Sequence, residues 1–228
     1  MTMNAQARFP RAALFDLDGT LLDSAPDMLA TANRMRQVRD MGPMTLADIR
    51  PHVSKGARAM LAAAFPGMEV TAREALVPEF LSVYQQELGR HSVLFDGVDT
   101  LLSALEAAGT VWGIVTNKPE YLARDILPQL GWETRCAVLI GGDTLAEKKP
   151  HPLPLQVAAE RIGVPAGECM YVGDDERDIV AARAAGMPSV AALWGYRQAD
   201  EQPADWLPDV LVDAPADLAV PATWPQIP

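Results

Sequence analysis

The sequence predicts an α/β protein with a doubly wound parallel sheet and an all-helical module inserted after the first strand. Three observations support this fold class. Short apolar segments alternate with longer helical segments, polar residues do not interrupt the apolar segments, and one long interval contains helical patterns alone. Uninterrupted apolar segments are typical of strands that helices cover on both faces, as in Rossmann-like sheets.

Six short apolar segments are predicted to be the strands of this sheet. They cover residues 12–17, 111–116, 137–140, 170–172, 189–193 and 210–212. The connecting helices are predicted at 98–108, 121–130, 154–162 and 177–185. A glycine follows each of these helices, and glycine is the usual residue just beyond a helix end. The four glycines are Gly109, Gly131, Gly163 and Gly186.

The interval 24–92 contains no predicted strand and is rich in helix-forming residues. We interpret it as a helical module, with hinges near residues 23–26 and 92–97, inserted into a core made of 1–23 and 93–228. The last 28 residues carry six prolines. Beyond the strand at 210–212 and a short turn at 216–219, this tail is predicted to be irregular.

Composition excludes several classes of partner. The formal net charge of −11 over 228 residues argues against nucleic acids and anionic membranes, which favour clustered lysine and arginine. The chain lacks a run of about 18 apolar residues and an apolar leader at its start, so we expect a cytoplasmic protein. We expect it to be a monomer or a homodimer. Cys136 and Cys169 lack the spacing of a zinc site and are expected to be buried thiols.

The first predicted strand ends in two acidic residues. Asp16 and Asp18 stand two positions apart and precede Gly19 and Thr20. At this spacing, both carboxylates can project to the same side, and ligands of open α/β sheets bind at the carboxyl ends of the strands. The segment therefore predicts a reaction site.

This segment resembles the DxDGT signature of the haloacid dehalogenase superfamily, and three further motifs of that superfamily follow in order. A threonine ends the next core strand in Thr116-Asn117-Lys118, a lysine precedes proline in Lys149-Pro150, and an acidic GDxxxD cluster follows a strand at 173–178. The resemblance covers nearly the whole chain. It implies a haloacid dehalogenase-like fold in which the helical module is a cap over the active site.

The resemblance also implies a role for each motif. Asp16 would be the nucleophile that attacks a phosphate ester, and Asp18 the general acid and base. Thr116, Asn117 and Lys149 would bind the phosphate, with Thr116 and Lys149 counted among the catalytic residues. The expected substrate is a small-molecule phosphate ester.

The implied cofactor is Mg²⁺, which prefers oxygen ligands. Its expected ligands are the Asp16 side chain, the backbone carbonyl of Asp18 and the Asp174 side chain. Asp175 and Asp178 are expected either to hold these ligands in place without contacting the ion or to act as alternative ligands. The family often has a small polar residue at the position of Asp175, which leaves the role of that residue open.

Four further cationic residues lie in loops or in the helical module. Lys118 and Lys148 lie in loops, where a lysine is usually exposed to solvent, and we expect both to be exposed. The alternative for each is a role in the site. In the helical module, Lys55 and Arg58 flank Gly56 and Ala57. A cap reads the part of the substrate beyond the phosphate, so these two cations are the predicted specificity residues. The alternative is that they lie on a solvated helix start.

The resulting functional prediction is a magnesium-dependent phosphomonoesterase that works through an aspartyl-phosphate. The motifs at 141–152 and at Gly173 resemble phosphoglycolate phosphatases. Residues 56–60, 91–97 and 112–119 resemble N-acetylmuramic acid 6-phosphate phosphatases of peptidoglycan recycling. Both substrates carry a carboxylate, and the choice between them stays open. The alternatives are a phosphomutase of the β-phosphoglucomutase type, a haloacid dehalogenase and a non-catalytic binding protein.

Overall fold

The computed structural model describes residues 7–226, so residues 1–6 and 227–228, which the predicted core ranges include, lie outside the described part. The strands are β1 (Ala12–Phe15), β2 (Leu22–Asp23), β3 (Val93–Leu94), β4 (Val111–Val115), β5 (Leu139–Ile140), β6 (Cys169–Gly173), β7 (Ser189–Ala192) and β8 (Val210–Val212). Six of them form one sheet in the order β5-β4-β1-β6-β7-β8, and every neighbouring pair is parallel. The predicted parallel α/β class is confirmed.

The helices of the module are α1 (Ala25–Gln37), α2 (Leu46–Ile49), α3 (Ala57–Ala64), α4 (Val70–Glu74) and α5 (Val77–Glu87). Those of the core are α6 (Val98–Ala107), α7 (Glu120–Ile126), α8 (Leu153–Ile162) and α9 (Glu176–Ala185). Short 3₁₀ helices lie at Arg50–His52, Pro128–Leu130, Ala166–Glu168, Pro203–Trp206, Pro215–Ala219 and Pro221–Thr223. Within residues 7–226, no helix is long and apolar enough to cross a membrane.

The central strand is buried on both faces, as its uninterrupted apolar sequence predicts. Ala13 and Phe15 join a hydrophobic cluster with residues of α6 and α7, whereas Ala12 and Leu14 join a second cluster with residues of α8 and α9. Successive side chains of a strand point to opposite faces, so the two clusters lie on opposite sides of the sheet. Packing on both faces fixes the position of the carboxyl end of β1, and Asp16 is the next residue in the chain.

Two details of the core differ from prediction. The helix predicted at 121–130 ends at Ile126 and continues as the 3₁₀ helix Pro128–Leu130, because Pro128 has no N–H for the helical hydrogen bond. The tail holds more structure than expected. It contains three 3₁₀ helices, and the Trp224 side chain that follows the last of them is buried and donates to the Leu218 carbonyl at 2.7 Å.

The helical module joins the core through an antiparallel strand pair that the sequence did not predict. In this pair, Leu22 of β2 lies opposite Leu94 of β3, and Asp23 lies opposite Val93. The buried carboxylate of Asp27, in the first turn of α1, accepts hydrogen bonds of 2.7 Å each from the backbone N–H groups of Gly89 and His91. Both connections of the module are therefore tied together.

Candidate active site

The loop after β1 carries the first two acidic residues. After Asp16 the chain turns sharply, and the Gly19 N–H donates to the Leu22 carbonyl at 3.0 Å. Gly19 has a left-handed φ of +89°, and a Cβ at this position would lie 2.2 Å from a carboxylate oxygen of Asp174. Only glycine combines this backbone with this close approach. The signature glycine therefore brings the first loop against the acidic cluster.

Three buried carboxylates meet at the carboxyl end of the sheet. Oxygen atoms of Asp16, Asp174 and Asp178 all lie within 4.8 Å of one another. Burial raises the pKa of Asp174 well above its usual value, and the nearby charges of Asp16 and Asp178 add to this effect. Such a set of oxygen donors is suited to a hard divalent cation, which would relieve the repulsion between the carboxylates.

Asp174 is held by donors from three segments. Its carboxylate accepts from the Thr20 hydroxyl at 3.1 Å, from the Tyr196 backbone N–H at 2.9 Å and from the Ser54 hydroxyl at 2.8 Å. Thr20 belongs to the first loop, Tyr196 follows β7, and Ser54 belongs to the helical module. Residues of the module thus reach the acidic cluster.

Lys149 neutralises part of this cluster. Its ammonium group lies 3.1 Å from Asp16 Oδ1 and 2.7 Å from Asp178 Oδ1, and it donates to the Tyr171 hydroxyl at 2.6 Å. The side chain is only 2% exposed. Burial alone would lower the pKa of Lys149, but the two carboxylates outweigh burial and raise it. Lys149 therefore remains a buried cation beside the predicted nucleophile.

Thr116 and Asn117 follow β4 at the same edge of the sheet. The Thr116 hydroxyl lines the cavity and accepts from the Lys118 N–H at 3.2 Å. The Asn117 amide nitrogen donates to the Lys149 carbonyl at 2.9 Å, while its buried side-chain oxygen has no hydrogen-bond partner among the described residues. Asn117 therefore holds the loop that carries Lys149 and leaves one acceptor free.

Lys118 is buried, contrary to the expectation of an exposed loop lysine. Its side chain is 2% exposed, and its ammonium group lies 3.0 Å from each carboxylate oxygen of Asp18. It also donates to the hydroxyl of Tyr84, whose ring centroid lies 4.3 Å away. Sequence reasoning missed this contact because Tyr84 comes from α5 of the helical module. Lys148, in contrast, is exposed as expected.

The two predicted specificity cations have different partners. Lys55 lies 2.7 Å from Asp175 and also contacts Glu201, so it joins the module to the core. Arg58 pairs with Glu74 at 2.8 Å, and its side chain is 68% exposed at the rim of the cavity. Lys55 thus faces acidic core residues, and Arg58 faces solvent and the cavity mouth.

Asp175 has a structural partner besides Lys55. It caps the start of α9 and accepts from the Arg177 side chain at 2.8 Å, while Arg177 also contacts the Ser54 carbonyl. Burial would raise the pKa of Asp175, but the hydrogen bonds and charge of Arg177, together with Lys55, lower it to about 2. Asp175 is thus an ionised anchor for the module.

A cavity of about 440 Å³ lies between the module and the core. Its floor includes Asp16, Asp18 and Thr116. The opposite wall is mostly apolar and comes from the module, with Val53, Met60, Val77, Phe80 and Leu81. The carboxylates of Asp16 and Asp18 therefore face a chamber whose roof is formed by the helical module.

Comparisons with known proteins agree with this arrangement. The profile of the haloacid dehalogenase-like hydrolases matches residues 13–192. The phosphoglycolate phosphatase of Xanthomonas campestris pv. campestris is 70% identical over 96% of this chain and 99% of its own. The N-acetylmuramic acid 6-phosphate phosphatase of Pseudomonas aeruginosa is 42% identical over 91% of this chain and 92% of its own. A crystal structure of a predicted phosphoglycolate phosphatase from Haemophilus somnus superimposes with a TM-score of 0.80 at 28% identity, covering 91% of this chain and 96% of that one.

Proposed function

Because the chain belongs to the haloacid dehalogenase-like hydrolases, we propose that it is a magnesium-dependent phosphomonoesterase that works through an aspartyl-phosphate. One observation carries the proposal. Asp16 lies on the floor of the cavity and shares a buried cluster with Asp174, Asp178 and the Lys149 ammonium group. A carboxylate in such a cluster can approach an anionic phosphate only if positive charge offsets their repulsion.

The chemistry would proceed in two steps. First, a carboxylate oxygen of Asp16 attacks phosphorus, the ester P–O bond breaks, and Asp18 gives a proton to the departing oxygen. Asp18 then takes a proton from a water molecule, which attacks phosphorus and releases inorganic phosphate and free Asp16. Thr116 and Lys149 would bind the phosphoryl oxygens, and Asn117 would hold the Lys149 loop.

The acidic cluster fits the proposed Mg²⁺ because its donors are all oxygen atoms. The side chains of Asp16 and Asp174 and the backbone carbonyl of Asp18 would hold the ion. Asp178 and Asp175 would keep these groups in place through their contacts with Lys149, Lys55 and Arg177. When bound, Mg²⁺ supplies positive charge to the phosphate oxygens.

We propose that residues 24–92 act as the cap and choose the substrate. Relatives that share most of the chain are named as phosphatases of phosphoglycolate or of N-acetylmuramic acid 6-phosphate, and both of these molecules carry a carboxylate. Arg58, at the cavity rim, is the proposed contact for that carboxylate. Lys55 is the second candidate, although its ammonium group contacts Asp175 and Glu201.

The 70% identical relative favours phosphoglycolate as the substrate. The cavity favours the larger sugar phosphate as a second candidate. Cavities of about 300 to 1,000 Å³ usually hold ligands of drug size, and this one measures about 440 Å³ with a largely apolar roof. Phosphoglycolate alone would leave much of that roof without a contact.

A substrate panel tests these proposals. Purified protein with Mg²⁺ would be given both acids and a series of sugar phosphates, and free phosphate and phosphorylated products would both be measured. We expect free phosphate, with kcat/KM highest for one of the two acids and no release by the Asp16→Asn variant. An isomeric phosphate in place of free phosphate would indicate a phosphomutase. Halide release from a haloacid would indicate a dehalogenase, and no turnover of any substrate would favour a binding protein.

A further inference from the structure

We infer that Tyr84 and Lys118 are positioning residues for Asp18, the proposed acid–base residue. Through Tyr84, the helical module helps to fix the orientation of the Asp18 carboxylate. The inference rests on the proposed role of Asp18 in phosphate ester hydrolysis. Lys118 lies in the loop after β4, Asp18 in the loop after β1, and Tyr84 in α5. Three segments far apart in the chain thus meet at one ammonium group.

The hydrogen bonds of Lys118 use its full donor capacity. An ammonium group has three donors. Two are directed at the carboxylate oxygens of Asp18, at 3.0 Å each, and the third at the Tyr84 hydroxyl. No donor is then left for a phosphate. The geometry therefore indicates that Lys118 acts on the reaction through Asp18.

Packing restricts this arrangement further. Tyr84 is 1% exposed, and its ring stacks on Phe80, one turn earlier in α5, at 6.4 Å between centroids. The Lys118 ammonium group lies 4.3 Å from the centroid of the same ring, so the packed Tyr84 ring also limits where the ammonium group can be. Ring and hydroxyl together leave the ammonium group little freedom. Since both carboxylate oxygens of Asp18 bond to this fixed group, rotation of the carboxylate is restricted as well.

A general acid must be oriented toward the oxygen that leaves. Tyr84 of the module reaches this acid through one lysine. Loss of the Tyr84 hydroxyl or of the Lys118 ammonium group should leave the Asp18 carboxyl group free to turn, and should therefore impair proton donation more than attack by Asp16. A purely structural ion pair would impair both equally.

Two esters of similar shape separate these possibilities. Nitrophenolate leaves 4-nitrophenyl phosphate without a proton, whereas the benzyl oxygen of benzyl phosphate needs one. Steady-state kcat/KM, which reports the first phosphoryl transfer, would be measured with Mg²⁺ for the wild type, Tyr84→Phe and Lys118→Met. Tyr84→Phe keeps the ring and removes only the hydroxyl. Lys148→Met is the matched control, because it removes an exposed lysine of the same cavity that has no contact with Asp18.

We expect benzyl phosphate hydrolysis to fall about tenfold in Tyr84→Phe and about 10²-fold in Lys118→Met, within the range of general acid catalysis. The loss for 4-nitrophenyl phosphate should be about tenfold smaller in each variant. Lys148→Met should leave the ratio between the two esters at its wild-type value.

Equal losses for both esters, in folded variants, would overturn the inference and make the pair structural. If Lys118→Met does not fold, judged by circular dichroism, the ratio in Tyr84→Phe decides alone. An unchanged ratio there would overturn the inference. Failure of the wild type to hydrolyse either ester or any substrate of the panel above would contradict the proposed function itself.

Discussion

The Ser54 hydroxyl of the helical module donates a 2.8 Å hydrogen bond to Asp174, a carboxylate of the buried cluster around Asp16. The next residue, Lys55, contacts Asp175. The module therefore touches the acidic cluster itself. A change of charge in the acidic cluster should therefore affect the position of the module, and a shift of the module should affect the cluster, because Asp174 belongs to the cluster and contacts the module.

The first prediction concerns the metal. Mg²⁺ that binds the folded protein stabilises it by about 2.7 kcal/mol at 100 times its dissociation constant, so Tm should rise by several degrees. Asp174→Asn should remove this rise, because it removes a proposed ligand. Asp143→Asn, at an exposed position of the cavity wall, is the control and should keep it. Differential scanning fluorimetry measures the effect, and an undiminished rise in Asp174→Asn would exclude that ligand.

The second prediction concerns the nucleophile. Asp16→Asn should lower kcat by a factor on the order of 10⁴ or more, because an amide cannot form the phosphoryl bond. The variant should still show the circular dichroism spectrum of the wild type. Appreciable turnover, in protein free of wild-type enzyme, would mean that phosphate is transferred directly to water.

The third prediction concerns Lys149, which is 2% exposed between Asp16 and Asp178. Lys149→Met leaves two buried carboxylates without their cation, so the free energy of unfolding should fall by about 3 to 5 kcal/mol. Adding Asp178→Asn should restore part of this stability, although not the activity. Urea denaturation at neutral pH, without Mg²⁺, compares the single and double variants. No recovery in the double variant would mean that packing of the lysine chain, and not its charge, stabilises the site.

The fourth prediction compares two glycines with left-handed φ. Gly19 has φ +89°, and a Cβ there would meet Asp174 at 2.2 Å; Gly109 has φ +78° and no heavy atom within 4 Å of that position. Gly109→Ala should cost only backbone strain, roughly 1 kcal/mol. Gly19→Ala should cost more and should also weaken Mg²⁺ binding, measured by calorimetry. Equal costs in the two variants would mean that the first loop moves away from Asp174 freely.

The fifth prediction concerns Arg58, whose side chain is 68% exposed. Arg58→Ala should lower kcat/KM for a carboxylated substrate by up to about fivefold, because exposed ion pairs contribute about 0 to 1 kcal/mol. Hydrolysis of 4-nitrophenyl phosphate, which has no carboxylate, should stay unchanged. A similar loss with both substrates would assign Arg58 to closure of the module.

The parallel sheet could be predicted because its strands are almost entirely apolar. Three of the four core helix ends could be predicted because glycine follows them closely, whereas the helix before Gly131 ends earlier, at Ile126. Asp16, Thr116 and Asp174 could be placed together because each lies at or just after the end of a predicted strand, and such ends share one edge of the sheet. Lys149 lies in the long loop beyond Ile140, and only its motif placed it there. Predictions of this kind need only the local sequence and the knowledge that neighbouring strands are parallel.

Contacts that join the module to the core could not be predicted in this way. The burial of Lys118 depends on Tyr84, 34 positions earlier, and the contact of Ser54 with Asp174 spans 120 positions. Such pairings depend on how the module sits over the sheet, which no local pattern encodes. The β2–β3 pair was missed because two-residue strands have no periodicity to detect.

The β2–β3 pair also bears on how a core of this kind can carry an insertion. Leu22 and Leu94 lie side by side, so the core meets the module at two adjacent points. The entropy of closing a loop depends on bringing its ends together, and here paired strands already do so. The length of the chain between the two strands then has little effect on the folding free energy of the core sheet. A module of different size, grafted between Asp23 and Val93, should leave the core sheet able to fold, which makes this strand pair a natural junction for exchanging the module.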